Sequence, residues 1–293
     1  MEIVPTSAPI HPSTEKPVQA SSDFEVVKLW LHGRPANTQR AYRREVERFQ
    51  KLVKKPLQLV TLADVQAFAD SISEMKPSSV ARALAAMKSL MSFAHEIGYL
   101  QFNVGLAMRL PTVRNRRAAR ILTEEQVMGM LALTRNSRDH ALLRLAYASA
   151  LRISELSSLS WHDLSERGES GQVSVLAKGG KTHTVLLSAG TWCELVALRM
   201  ADASDDSPVF VSRKGSRLSK AQIHRVVVAA AVRAGIPASV SLHWLRHAHA
   251  SHALDRGAPI HLVSQTLNHS NLATTSIYVH ARPTESSGKY LGI

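Results

Sequence analysis

Cysteine is almost absent from this sequence, which has a single one, Cys193, among its 293 residues. A lone thiol cannot form an intramolecular disulfide, so the sequence excludes a disulfide framework and a cysteine-rich metal site. The same scarcity suits a reducing compartment, and we therefore expect a cytoplasmic protein. We expect Cys193 itself to take part in packing.

Long apolar runs are also missing. No stretch approaches the roughly 18 apolar residues that a membrane-spanning helix needs, so a membrane role is disfavoured. The first residues lack the basic start and apolar core of a secretory signal. Residues 1–21 are rich in proline, serine and threonine, and this composition predicts a disordered leader.

Acidic residues are scarce relative to basic ones. The chain has 23 Asp and Glu against 36 Lys and Arg, which gives a formal net charge of +13. A globular protein this basic is best explained by a polyanionic partner, and DNA or RNA is the first candidate. The length favours two domains rather than one.

Periodic apolar residues predict a first, helical domain over residues 22–110. Its helices are expected at 24–32, at 37–53, at 61–73 with Thr61 and Asp64 forming a capping box, and from Pro77 to Gly98. The expected core residues of the first helix are Phe24, Val27, Leu29 and Leu31.

The helix at 37–53 has two contrasting faces. Tyr42, Val46, Phe49 and Val53 recur on one face, and the opposite face carries Arg40, Arg44, Arg48 and Lys51. A basic face of this kind is commonly only solvated, but in so basic a chain it also suits DNA phosphates. Glu45 and Glu47 are the acidic residues that dilute it.

A basic linker is predicted over residues 111–120, followed by a second domain over 121–293 that ends in a C-terminal tail. The linker residues Arg114, Arg116, Arg117 and Arg120 form either a solvated hinge or, as we favour, a strap along a DNA backbone. Further candidate DNA contacts are Lys181, Arg217 and Lys220.

The second domain should combine a core helix at 139–149, helices at 188–201 and 219–234, and a β-hairpin. The alternating segments 172–177 and 183–187 flank the glycine turn at 178–181, which predicts the hairpin. Arg152 follows the core helix among hydrophobic residues, where a guanidinium is costly unless it is paired or faces a ligand. Glu155 is expected to hold the local helix end or to pair with a neighbour.

The stretch from Ser241 to His280 carries most of the chemistry. If residues 243–254 are helical, His243, Arg246 and His247 share one face, which suits a phosphate. His269 and Tyr278 follow closely. A zinc site built from His243, His247, His249 and His252 is disfavoured, because Trp244 stands where an H-E-x-x-H helix has its glutamate.

These residues resemble the signature of the tyrosine recombinases, the phage-integrase family, and most of all its simple Xer-like members. The motif H-x-L-R-H is present at 243–247, and L-G-H-S followed by T-T-x-x-Y is present at 267–278 with Asn268 in place of glycine. The block at 150–156 is similar to G-L-R-x-S-E-L, with Ala150 in place of glycine. Asn tolerates a left-handed backbone, so the turn at Asn268 should survive.

The resemblance implies a role for each matching residue. Tyr278 would attack the DNA phosphate, and a free 5′-hydroxyl would leave. Arg152, Arg246 and His269 would bind the non-bridging oxygens, and Lys178 would protonate the leaving oxygen, with Lys181 as the alternative acid. His243 would accept the tyrosine proton or contact the phosphate. His247 would act only indirectly, and no metal or cofactor would be needed.

The resemblance also implies the architecture and the partners. The fold would be mainly α with a small β-sheet, comprising a SAM-like core-binding domain and a mixed α/β catalytic domain of the DNA breaking-rejoining type. The partner would be double-stranded DNA at a specific site. Four protomers, identical or paired with a second recombinase, would exchange strands through a 3′-phosphotyrosyl intermediate and a Holliday junction. The alternative is a DNA-binding protein, or a type IB-like relaxing enzyme without strand exchange.

Overall fold

The computed structural model describes residues 19–112, 121–176, 182–269 and 271–281. The chain divides into two compact units between residues 114 and 115. Unit 1 contains helices α1 (Asp23–Leu31), α2 (Ala36–Val53), α3 (Leu62–Ser71) and α4 (Pro77–Glu96). No helix in the described ranges is both long and apolar enough to cross a membrane.

The core of unit 1 lies between α2, α3 and α4. Phe49 and Phe68 meet edge to face with ring centroids 5.2 Å apart, and the long α4 buries Met87 and Leu90 against them. At the start of α3, the Asp64 carboxylate accepts from the Thr61 backbone N–H at 2.9 Å, and the Thr61 hydroxyl accepts from the Asp64 N–H at 3.3 Å. The predicted capping box is therefore present.

The predicted core face of α1 was right for Leu31, which is buried, and for Val27, which is partly buried against the core, but wrong for Phe24 and Leu29. Phe24 is 73% exposed and Leu29 is 43% exposed, whereas Val26, Trp30 and Leu31 are buried. The tryptophan determines this orientation, because its ring stacks on Tyr42 at 5.1 Å and its indole N–H donates to the Ser89 hydroxyl at 3.1 Å. A buried indole needs both an apolar contact and a hydrogen-bond acceptor, and both lie on this side of α1.

Unit 2 contains eight described helices and one three-stranded sheet. The helices are α5 (Glu124–Ala132), α6 (Ser137–Ser149), α7 (Ile153–Ser158), α8 (Ala189–Val196), α9 (Lys220–Arg233), α10 (Leu242–Asp255), α11 (Ile260–Thr266) and α12 (Ala273–Ala281). The strands are β1 (Leu164–Arg167), β2 (Ser170–Leu176) and β3 (Thr182–Leu187), in the antiparallel order β1-β2-β3. The predicted fold class is confirmed.

The sheet extends the predicted hairpin by one strand. Strands β2 and β3 pair as the predicted hairpin, with Val173 opposite Val185, and the turn between them lies outside the described residues. Strand β1 was not predicted, because its four residues are too few to show an alternating pattern. Helix α8 is shorter than expected, and Cys193 on it is exposed rather than packed.

Helices α6 and α10 form the centre of unit 2. Leu142, Leu143 and Leu145 of α6 are buried, as the nearly all-apolar sequence of this helix predicts, and Leu245 and Ala248 of α10 join the same core. Helix α12 packs against α10 and α11. Helix α10 therefore contacts both α6, which leads into Arg152, and α12, which carries Tyr278.

Candidate active site

Arg152 lies at a sharp turn between α6 and α7. Helix α6 ends at Ser149 and is followed by Ala150, whose backbone is left-handed (φ +52°), and Arg152 is the residue immediately before α7. The Glu155 carboxylate accepts from the Arg152 backbone N–H at 2.7 Å and from its Nη1 at 2.9 Å. Glu155 therefore has the structural role expected of it, since it holds both the helix start and the guanidinium.

Arg246 is the most deeply buried cation of the site, with 3% of its surface exposed. Its Nη1 donates to the Ala150 carbonyl at 2.5 Å, and its Nη2 donates to the Leu267 carbonyl. The pKa of Arg246 is lowered to about 10, mainly by burial and also by the nearby Arg152, while Glu155 and Tyr278 oppose this shift. A guanidinium held in this way is fixed in position before any ligand arrives.

The two arginines and the Asn268 turn form one unit. Arg152 Nη2 donates to the Asn268 carbonyl at 3.3 Å, and Asn268 has a left-handed backbone (φ +46°). The expected turn is therefore formed with asparagine in place of glycine. Two guanidinium groups near each other, with Glu155 as the acidic side chain bound to Arg152, favour an anionic ligand.

A cavity of about 320 Å³ opens beside these arginines. Its polar lining comes from Arg152, Arg246 and His243, together with His224, Ser154 and Ser241. His224 lies on α9 and was not predicted, because no motif connects it with residues on α10. The cavity combines cations, imidazoles and hydroxyls, which are the groups that bind phosphate oxygens.

The ring of His247 packs between the rings of His243 and Tyr278. His243 and His247 meet edge to face with centroids 4.2 Å apart, and the His247 and Tyr278 centroids are 5.4 Å apart. The Nδ1 of His247 lies 2.6 Å from the Tyr278 hydroxyl. The His247 ring therefore contacts the tyrosine hydroxyl itself, and the indirect role predicted for His247 stays a prediction.

His269 is fixed by the first turn of α12. Its Nδ1 lies 2.9 Å from the hydroxyl of Thr275, which is fully buried. His183 on β3, which was not predicted, makes a similar link between elements, because its Nε2 lies 3.0 Å from the Thr266 carbonyl on α11. Burial lowers the pKa of His183, while the bond to Thr266 opposes that shift.

The four histidines considered for zinc lie on different sides of α10. His247 contacts Tyr278, whereas His249 Nδ1 lies 2.8 Å from the Tyr147 carbonyl and His252 Nδ1 lies 2.9 Å from the Tyr147 hydroxyl. Within the described ranges, no group of three or more His, Cys, Asp or Glu side chains is placed to hold a metal ion.

Several predicted functional residues lie outside the described residues. They are Lys178 and Lys181 in the β2–β3 turn, Arg114, Arg116, Arg117 and Arg120 in the linker, and the tail beyond residue 281. Their roles stay predictions.

The basic face of α2 is organised around a fully buried carboxylate. Glu45 accepts from Arg48 Nη1 at 2.7 Å and from Arg82 Nη2 at 3.2 Å, and Arg44 Nε lies 4.0 Å away. Sequence periodicity did not indicate Arg82, because it lies on α4. The Arg44 side chain is the most exposed of the three, at 63%.

The remaining predicted DNA-contact residues differ in the hydrogen bonds and in the exposure of their side chains. Arg40 donates to Asn37 at 2.5 Å, and Lys51 is exposed in the last turn of α2. Arg217 donates to the Leu159 carbonyl at 2.7 Å and to the Ser160 hydroxyl at 2.6 Å, which ties its guanidinium to its own domain. Lys220 is exposed at the start of α9.

Comparison with known proteins agrees with this geometry. Residues 120–285 match the model described as "Phage integrase family", and residues 28–97 match "Phage integrase, N-terminal SAM-like domain". The chain is 32% identical to tyrosine recombinase XerD of Mycobacterium tuberculosis, over 85% of this chain and 90% of that one. It is 27% identical to tyrosine recombinase XerC of Thermodesulfovibrio yellowstonii, over 85% and 87%.

Solved structures show the same fold at lower identity. A lambda integrase dimer bound to a COC′ core site superposes with a TM-score of 0.73 at 17% identity, over 91% of this chain and 79% of that one. XerH bound to its difH substrate gives a TM-score of 0.69 at 18% identity, over 94% and 85%.

The chain therefore belongs to the phage integrase family. Its enzyme class is that of the tyrosine recombinases, which cut and rejoin DNA at specific sites.

Proposed function

We propose that this enzyme cleaves one DNA strand at a time with Tyr278 as the nucleophile. The observation that carries the proposal is the convergence of Arg152, Arg246 and His243 on one cavity, with Tyr278 joined to the same helix through His247. The attack would form a 3′-phosphotyrosyl bond and release a 5′-hydroxyl. Because the bond energy is kept in that intermediate, rejoining would need no cofactor.

The two arginines would stabilise the charge that develops on the phosphate. Arg246 is held by two backbone carbonyls and Arg152 by Glu155, so neither has to reorganise when the transition state forms. His269, held by Thr275, would add a further hydrogen bond. Lys178 is the proposed acid for the leaving 5′-oxygen, with Lys181 as the alternative.

Double-stranded DNA would be held by both units. The basic face of α2 and the exposed Lys220 carry positive charge that suits DNA phosphates. We propose that the linker arginines extend this positive surface. A lambda integrase tetramer bound to a Holliday junction shares this fold, with a TM-score of 0.68. We propose the same tetrameric assembly here, of identical chains or with a second recombinase, acting in the cytoplasm.

Strand exchange is tested with two duplexes that carry the site and different end labels. The site itself is first identified by sequencing the DNA that the protein protects. The proposal predicts recombinant duplexes that contain both labels, in EDTA as in buffer. Relaxation of supercoiled DNA without such recombinants would instead support the relaxing-enzyme alternative, and binding without either product would indicate an inactive DNA-binding protein.

A further inference from the structure

The hydroxyl of the proposed nucleophile is already paired with a potential base. Tyr278 is 4% exposed and His247 is 3% exposed, and the distance from the phenol oxygen to Nδ1 is 2.6 Å. The two residues come from different helices, α12 and α10, so this contact depends on the tertiary structure. A proton acceptor must lie within hydrogen-bond reach of the proton that it removes, and this pair meets that condition.

We propose that His247 is the catalytic residue that accepts the Tyr278 proton during cleavage and returns it during rejoining. The inference rests on the proposed role of Tyr278 as the nucleophile. In cleavage, the O–H proton would pass to Nδ1 and the phenolate oxygen would form a bond to phosphorus. The bond from phosphorus to the 5′-oxygen would break, and that oxygen would take a proton from the acid, proposed as Lys178.

The position of His243 favours this division of roles. His243 lines the cavity with Arg152 and Arg246, where a phosphate would lie, while its ring edge packs against His247. The Nδ1 of His247 lies 2.6 Å from the Tyr278 hydroxyl oxygen, where it can accept the O–H proton. His243 is therefore assigned to the phosphate, one of the two roles that the sequence left open for it, and His247 to the tyrosine.

The charges around the pair support transfer of the proton. Tyr278 interacts electrostatically with Arg246, which is in turn close to Arg152 and Glu155. The two guanidinium groups favour a negative phenolate, and Glu155 partly offsets them. Among the described ring contacts, His243 also packs against His247, and a DNA phosphate in the cavity would stabilise an imidazolium that forms on His247.

The test uses single-turnover cleavage of a nicked suicide substrate, in which the covalent complex accumulates because the short cleaved fragment diffuses away. Wild type, His247→Asn, His243→Asn and His249→Asn are compared across pH. Asparagine keeps a hydrogen-bonding atom near the Nδ1 position but cannot accept the proton. His249 is the matched control, because it lies on the same helix and its Nδ1 contacts the Tyr147 carbonyl.

The inference predicts that His247→Asn lowers the cleavage rate about 100-fold or more at neutral pH, the usual contribution of a general base. DNA binding and the melting temperature should remain close to wild type. The wild-type rate should rise with pH as the base loses its own proton, and the His247→Asn profile should lose that rise. His249→Asn should retain both the rate and the profile.

A substrate with sulfur at the bridging 5′ position separates the base from the acid. A thiolate leaves without protonation, so this substrate should rescue loss of the acid in Lys178→Ala but not loss of the base in His247→Asn. The inference is overturned if His247→Asn cleaves at the wild-type rate, if the sulfur substrate rescues it, or if His243→Asn alone loses the pH dependence. Covalent trapping by Tyr278→Phe would instead overturn the proposed function itself.

Discussion

At the scale of single residues, the site depends on cations that are fixed in different ways. Arg246 is buried and donates to two carbonyls, whereas the Arg152 side chain is 40% exposed and is held by Glu155. We therefore expect Arg246 also to stabilise the fold and Arg152 to act mainly on the phosphate. This difference separates the effects of replacing them.

Arg152→Ala should lower the cleavage rate about 100-fold, roughly 3 kcal/mol of transition-state stabilisation, with a smaller fall in melting temperature than Arg246→Ala because Glu155 keeps the Arg152 backbone N–H as a partner. Arg246→Ala should lose activity and also unfold at a lower temperature, because each buried carbonyl left unpaired costs about 1–3 kcal/mol. Single-turnover cleavage and thermal unfolding of both variants check this. Equal losses in DNA binding and cleavage would instead make both residues ordinary phosphate contacts.

His249 should make the fold sensitive to acid. Burial lowers the pKa of His249, and the bond to the Tyr147 carbonyl only partly opposes the shift. His249 therefore becomes protonated at a higher pH in the unfolded chain than in the folded chain. The stabilisation is complete above the unfolded pKa of about 6.5 and decreases as the pH falls towards the lowered folded value.

Urea unfolding between about pH 5 and 8 measures this effect. The free energy of unfolding of the wild type should decrease as the pH is lowered. That of His249→Asn should decrease less steeply. A residual slope is expected from His183, whose pKa burial also lowers. Identical slopes for the two proteins would show that His249 does not contribute.

The sequence predicted the residues that belong to a recognisable motif. It did not predict residues that meet their partners only through tertiary contacts. Arg152, Arg246 and His269 were predicted because their neighbours in the chain repeat a known spacing. His224, His183 and Arg82 were missed because their partners lie on other elements, and only tertiary structure brings them together. The direct contact of His247 was missed for the same reason.

At the scale of elements, capping residues predicted helix starts well. Thr61 begins α3 with the expected capping box, and Thr123 begins α5 with another, because these contacts are local. The orientation of α1 was missed, since it depends on where Trp30 finds Tyr42 and Ser89. Strand β1 exists through its pairing with β2 rather than through a pattern of its own.

The contact between β2 and α8 makes a sharp prediction about glycine. A Cβ at Gly171 would lie 2.1 Å from Cε3 of Trp192, so Gly171→Ala should lower the free energy of unfolding by about 1–3 kcal/mol. Gly129→Ala is the matched control, because its Cβ would meet Ala234 at an ordinary 3.8 Å within α5. This control should be stabilising by about 0.5–1 kcal/mol.

Denaturant unfolding of both alanine variants measures the two changes. If Gly171→Ala were as stable as the wild type, Trp192 would not pack against β2 as described.

At the scale of the whole molecule, a net charge of +13 explains attraction to DNA but not which cations touch it. The structure distinguishes them by their present contacts. Arg44 is 63% exposed and 4.0 Å from Glu45, whereas Arg48 is bound to this buried carboxylate at 2.7 Å. The basic stripe predicted from sequence thus contains residues with different roles.

Arg44→Ala should weaken DNA binding and reduce the slope of log affinity against log salt by about one unit, as expected for a lost phosphate contact. Its melting temperature should not change. Arg48→Ala should lower the melting temperature, because it removes a partner of a buried carboxylate. Binding titrations at several salt concentrations measure the slope of log affinity against log salt for each variant. An unchanged slope for Arg44→Ala would exclude Arg44 from the DNA interface.

The central claim is that Tyr278 becomes covalently joined to DNA, and one measurement tests it directly. The protein is trapped on a nicked suicide substrate and digested, and the peptide that carries the nucleotide is identified by mass spectrometry. The account predicts a 3′-phosphotyrosyl bond at Tyr278 and no covalent complex with Tyr278→Phe. Attachment at another residue such as Tyr290, or trapping by the phenylalanine variant, would contradict it.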